Sequence, residues 1–335
     1  DPEMSRGLGD VYKRQLQGVL VKTRDWNVTA GFNINFNRGK VDKLADNVTG
    51  LYGTEWATSS TFPKSDYVLK EGRPVGLVRG LTADGFYTTD DFTYENGVYT
   101  LKEGVADVSS AVFPNYHLHN GMNERPAGQL AYPGMAKFKD LNDDGIINDD
   151  DVDVIGDMTP VHTGGFNINA TYKNFDLGLY FNWSYGNEIY NVNKLAALYG
   201  YKEGAVYENK LSIVKDCYKI YDVVNGELVA LTTPEQLNAA NANAKLPLAY
   251  SENGYVSTLG IEDGSYLRLN TLTLGYTLPK SMLQKAGISN LRVYGSIYNV
   301  FTITGYSGID AEVSTSTSTK TYPPVSYTHL TLPTI

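Results

Sequence analysis

The sequence predicts an all-β fold, a fragment of a large antiparallel transmembrane β-barrel with long extracellular loops. Three observations lead there. From Trp26 to Phe36 apolar residues (Trp26, Val28, Ala30, Phe32, Ile34, Phe36) alternate without a break with small or polar ones (Asn27, Thr29, Gly31, Asn33, Asn35), the period of a strand with two unlike faces. The run is longer than the roughly 5 to 6 residues of an ordinary strand and matches the roughly 9 to 11 of a tilted bilayer crossing. Finally, the connections between such runs are alternately very short and very long, as in transmembrane barrels with tight periplasmic turns and long outer loops.

Gly164 to Gly186 reads as a hairpin of two such strands. Phe166, Ile168, Ala170 and Tyr172 alternate with Asn167, Asn169 and Thr171; Lys173 and Asn174 turn the chain. Phe175, Leu177, Leu179, Phe181 and Trp183 then continue the apolar face in the second arm. Ahead of Trp26, the apolar run Gly18 to Thr23 pairs with it through a tight turn at Arg24 and Asp25. Beyond Asn37, residues 43 to 65 and 81 to 128 have no sustained period and read as loop, with a short strand at Val75 to Gly80 and another at Met135 to Phe138. An even number of crossings must separate Phe36 from Phe166, and both runs are too short to cross. After Ile189 a second irregular region reaches Asp263. Within it Thr233, Pro234 and Gln236 supply the N-cap, first-turn proline and third-position glutamine of a short helix. Ser265 to Leu278 returns to strand, with Leu272, Leu274, Tyr276 and Leu278 on one face. Lys280 to Ser289 is a connector with one helical turn, and the alternation from Leu291 runs to Ile303.

Composition agrees. Of 335 residues 42% are hydrophobic and only 19% charged, with 33 Gly and 26 Tyr, which suits long strands, tight turns and aromatic belts. No apolar run reaches the 18 or more residues of a spanning helix. The net charge of -9 and the absence of Lys/Arg clusters exclude nucleic acid as a partner class. The single cysteine, Cys217, excludes an internal disulfide and reads as a buried thiol.

The candidate site is acidic. Asp140, Asn142, Asp144, Gly145 and Asp151 occupy positions 1, 3, 5, 6 and 12 of a Ca2+ loop, with the Ile146 carbonyl at position 7 and Asn148 at position 9. Hard oxygen donors at alternate residues converge on one cation, and glycine permits the sharp turn. Asp151 in place of the usual glutamate weakens the match, and the alternative is a solvated turn rich in Asp and Asn. His117 and His119 lack a third metal ligand. Ser212 and Lys215 form an S-x-x-K without the companion motifs of a serine hydrolase, and no phosphate loop or nucleophile elbow is present.

Two stretches, KFKDLNDDGIINDDDVDVIGDMTP (137–160) and FNINATYKNFDLGLYFNWSYGNEIYN (166–191), closely resemble the C-terminal part of SusC/RagA-type TonB-linked outer-membrane proteins. GFNINFNRGKVDKL (31–44), DGSYLRLNTLTLGYTLP (263–279) and LRVYGSIYNVFTITGYSGIDAEV (291–313) extend the match in consistent order. The resemblance implies a location in the cell outer membrane, a barrel of about 22 strands with a plugged lumen, and contact with outer-membrane lipid. It further implies TonB-powered import of an oligosaccharide or peptide with a SusD-like lipoprotein, and no enzymatic step. TonB would act through an N-terminal part missing here, and no substrate-binding residue is assigned. Residues 1–15 and 325–335 resemble translated adapter sequence, so residues 16–324 are expected to be the native barrel segment, an interior piece of a longer protein. Its first and last strands are expected to have unpaired edges. The competing reading is a soluble calcium-dependent carbohydrate-binding or adhesion module. It requires the apolar face of Trp26 to Phe36 to pack on a second sheet.

Overall fold

The computed structural model describes residues 6–53, 61–113, 125–198, 211–249, 254–284, 287–312 and 327–331. Its frame is one seven-stranded antiparallel sheet in which every strand lies beside its neighbours in chain order. The strands are β1 (Arg6–Lys22), β2 (Trp26–Lys43), β3 (His162–Tyr172), β4 (Phe175–Tyr185), β5 (Tyr266–Thr277), β6 (Arg292–Thr304) and β7 (Tyr327–Thr331). The long alternating runs of the sequence are the central strands of this sheet. β2 continues seven residues past the apolar run, to Lys43, because Arg6 to Val11 of β1 supply a ladder for its polar half. Residues 6–15 and 327–331 therefore lie in strands β1 and β7.

Register keeps like with like. Phe166 stands opposite Phe32 on one side and Phe181 on the other, and the row runs on through Leu269 to Phe301. One residue along, Asn167 stands between Gly31 and Tyr180. A one-residue slip anywhere would exchange the two faces. Asn270 is skipped in the pairing with both neighbours, and Asn299 beside it has φ +51°; this bulge restores the alternation beyond it. The β3–β4 turn is two residues long, with Lys173 at φ +51° and its N–H donating to the Asp25 carbonyl at 2.8 Å.

The long connections depart from expectation. The described parts of residues 44–161 and 186–265, read from sequence mainly as loop, fold together into a body with its own core. Leu81, Tyr87, Tyr99, Val112, Tyr132, Ile147 and Leu237 are fully buried in it. Its strands are two to five residues long, too short to show a period, and beside two local hairpins several pair across great sequence distances. Gly254–Tyr255 runs parallel to Thr61–Phe62, and the Leu81 N–H donates to the Val256 carbonyl at 2.8 Å. Leu77–Gly80 and Ala136–Phe138 belong to this body and not to the wall, as their shortness requires. The expected short helix is present at Pro234–Asn241. Its capping box is formed by Thr233 and Gln236, and Leu237 is its buried anchor. The turn of helix after β5 is Lys280–Leu283.

Candidate functional site

The wall has two chemically opposite faces. On the first, Trp26, Phe175, Leu274, Phe301 and Ile303 are 44–62% exposed, and among the described residues no second sheet covers them. The soluble-module reading needs that face inside a dry sandwich, an arrangement the described residues do not form. The aromatic residues of this face are not scattered. At the short-turn end Trp26, Tyr172, Phe175 and Tyr276 form a row across β2 to β5, with ring centroids 4.4 Å apart for Trp26 and Tyr172 and 4.6 Å for Phe175 and Tyr276. Lys173 Nζ lies 5.3 Å from the Tyr172 ring centre, its charge at the edge of the band. At the other end Phe36, His162, Tyr185 and Trp183 cluster, with His162 stacked on Tyr185 at 5.0 Å and accepting from Trp183 Nε1 at Nδ1, 3.1 Å away. About ten residues of tilted strand separate the two rows, roughly the 25 Å of an apolar band between aromatic girdles.

The second face is amide- and hydroxyl-rich, and its groups pair laterally. Asn169 donates to Asn167 at 3.1 Å and accepts from the Tyr180 hydroxyl at 3.2 Å; the Thr273 and Ser296 hydroxyls are 2.9 Å apart. Across β3 to β6 the charges on this face are few and matched. Arg292 of β6 forks onto Asp176 of β4, with Nε 3.0 Å from Oδ1 and Nη2 2.5 Å from Oδ2. The pair reaches over β5 where Gly275 stands: a Cβ there would meet both partners at about 2.5 Å, so glycine makes the bridge possible. Arg268 of β5, buried on this face, is the other cation of β3 to β6. Sequence reading passed over these residues. The available signal was a charge inside a wall strand, which is tolerated only with a partner.

Asp140, Asn142 and Asp144 share one turn: Asp140 accepts from the Gly145 N–H at 2.7 Å, Asp144 from the Ile146 N–H at 2.9 Å, and Asn142 donates to Asp144 at 3.0 Å. Gly145 has φ +84°, the conformation that position 6 requires. Asp151 is fully buried, and its two oxygens take the N–H groups of Leu141 and Asn148 at 2.7 and 2.8 Å. The Ile146 carbonyl accepts from the Asn148 side chain at 3.2 Å. Three of the five residues thus converge, and the other two have partners of their own. Among the described residues no group of three or more His, Cys, Asp or Glu side chains is arranged to hold a metal.

Ser212 and Lys215 are both exposed on the single turn Ser212–Asp216. Cys217 is the expected buried free thiol, and burial pushes it up to about 11, away from thiolate chemistry. His117 and His119 lie outside the described residues. No described helix is long and apolar enough to cross a membrane, which says nothing about crossing by strands.

No family model matches the chain. It is 28% identical over 306 residues to TonB-dependent receptor P3 of Formosa agariphila, a match covering 90% of this chain and 25% of that protein. To the TonB-dependent receptor SusC of Bacteroides thetaiotaomicron it is 24% identical over 310 residues, 90% of this chain and 24% of SusC. Among solved structures, the RagAB peptide importer in its closed-closed state superposes with a TM-score of 0.63 at 20% identity, covering 97% of this chain and 29% of that one. At that identity the likeness is one of fold. Over this span the chain is similar to SusC-type TonB-dependent receptors. It spans about a quarter of the length of these curated relatives, and its sheet is a sector of a transmembrane barrel wall.

Proposed function

We propose that this SusC/RagA-type chain is part of an outer-membrane importer. In this reading the whole protein captures an oligosaccharide or peptide under a SusD-like lipoprotein and draws it through the barrel with energy relayed by TonB. What carries the reading is the two-faced wall: an uncovered apolar face bounded by two aromatic rows, backed by a paired polar face suited to a wet lumen. The external body built from the two long connections then lies at the outer rim, where the lipoprotein docks. Support for the transport class comes from relatives named as TonB-dependent receptors and from the fold of a peptide importer. No covalent step is assigned. The test is uptake of labelled oligosaccharide and peptide pools by cells carrying the intact receptor, compared with strains lacking the receptor or TonB. Uptake of one pool should vanish in both deletions, and uptake that persists without TonB would end the proposal.

The acidic loop remains a proposed calcium loop, supported by the convergence of Asp140, Asn142 and Asp144 around the Gly145 turn. With Asp151 already engaged by backbone donors, its affinity should fall in the weak range of extracellular calcium modules, on the order of 10⁻⁴ to 10⁻³ M. Calorimetric titration of the intact receptor should give a calcium heat that Asp144→Ala removes. Identical titrations would leave the loop as an Asp/Asn turn.

A further inference from the structure

The wall continues past β6 into Gly305–Glu312, and this segment is held down almost entirely by charge. Of its side chains only Ala311 is buried, while Ile309 is 75% exposed. Little apolar surface therefore keeps it in place. Instead two clamps do so. In the first, Arg268, only 4% exposed, donates to Asp310, to Glu312 at 2.7 Å and to the Thr302 hydroxyl at 3.0 Å, with its guanidinium 5.5 Å from the Tyr266 ring centre. In the second, Glu262 accepts from the Ser307 N–H at 2.9 Å and the Ser307 hydroxyl at 2.8 Å. Lys194 donates to the same carboxylate at 2.8 Å, and the Asn191 side chain reaches Ser307 at 3.4 Å. Burial by itself would raise the Glu262 carboxyl, but the Lys194 and Ser307 donors outweigh it and hold it below the usual range.

The clamps draw on different parts of the molecule. Arg268 belongs to the barrel wall, whereas Glu262 and Lys194 belong to the external body. Between them the segment is internally compact: the Tyr306 ring lies so close to Gly308 that a Cβ there would overlap it. The Tyr306 N–H donates to the Thr304 hydroxyl at 3.1 Å and the Glu312 N–H to Asp310 at 3.0 Å. A stiff segment with a clamp at each end and almost no buried apolar surface has two natural states, fastened and lifted.

We propose that Gly305–Glu312 is a charge-clamped strap that fastens the barrel wall to the external body, with Arg268 and Glu262 as its positioning residues, and that it lifts as a unit when one clamp is lost. The inference rests on the clamp geometry, and its test needs no transport. Hydrogen–deuterium exchange of the intact receptor in detergent would be compared for wild type, Arg268→Gln and Asp310→Asn. Loss of the first clamp should speed exchange over 305–312 at least about tenfold, including the Ser307 amide that Glu262 holds. The hairpin 162–185 should keep its protection. Unchanged exchange over 305–312 in both variants would overturn the strap. Faster exchange confined to 310–312, with Ser307 still protected, would overturn its motion as a unit. Asp310 lies outside the wall strands, so if Arg268→Gln loosens the barrel itself, Asp310→Asn decides alone.

Discussion

Leu179→Arg is expected to destabilise the folded barrel by about 2–4 kcal/mol, the cost of a cation at the bilayer midplane on the lipid face. Leu179 sits at the middle of β4, opposite Ile168 and Leu272, about midway between the two aromatic rows. The matched control is Asn33→Lys on the other face of β2, where water or a polar stopper receives the charge; its cost should be well under half as large. Urea unfolding of the intact receptor in detergent or lipid vesicles reads both. Equal costs on the two faces would remove the assignment of which side meets hydrocarbon. The contrast tests direction as well as size, since a soluble sheet with both faces wet would penalise neither substitution strongly.

Tyr99→Ala should unfold the external body while leaving the wall intact. Tyr99 is fully buried among Phe92, Tyr94 and Tyr132, and its hydroxyl donates to the Thr232 carbonyl at 3.0 Å. It thus ties residues of the first long connection to the second. Removing the ring leaves a large cavity, worth about 3–5 kcal/mol, whereas Tyr99→Phe loses one hydrogen bond, on the order of 1 kcal/mol. Limited proteolysis should open cuts near Leu77–Gly80 and Pro234–Asn241 in the alanine variant only, with the β3–β4 hairpin still protected. Cuts appearing in the hairpin at the same time would show that body and wall unfold as one unit, contrary to expectation.

The strength of these two predictions differs in origin, and so did their visibility in the sequence. Leu179 is placed by local rules: period-2 alternation, a two-residue turn at Lys173 and Asn174, and a run long enough to cross a bilayer. The two arms of the β3–β4 hairpin follow one another directly across a two-residue turn, so the pattern survives in one dimension. Tyr99 is different. Its strand, Val98–Leu101, is four residues long, and the neighbours that bury it come from both long connections. No window of sequence contains that information, which is why those stretches read as loop.

The same division runs through the polar face and the acidic loop. Alternation marks Asp176, Arg268 and Arg292 as lumen-side residues, but it does not say that Asp176 and Arg292, 116 positions apart, meet over Gly275. Spacing places Asp140, Asn142 and Asp144 on one turn because an i, i+2, i+4 set is local. It does not reveal that Asp151 is drawn inside to satisfy the Leu141 and Asn148 amides. The sequence alone determined the central strands of the wall, their two faces and the family they resemble, since a bilayer imposes length and alternation on each strand separately. Only the tertiary structure decided the external body, the bridge over Gly275 and the clamps on Gly305–Glu312, because those depend on which distant segments are brought into contact.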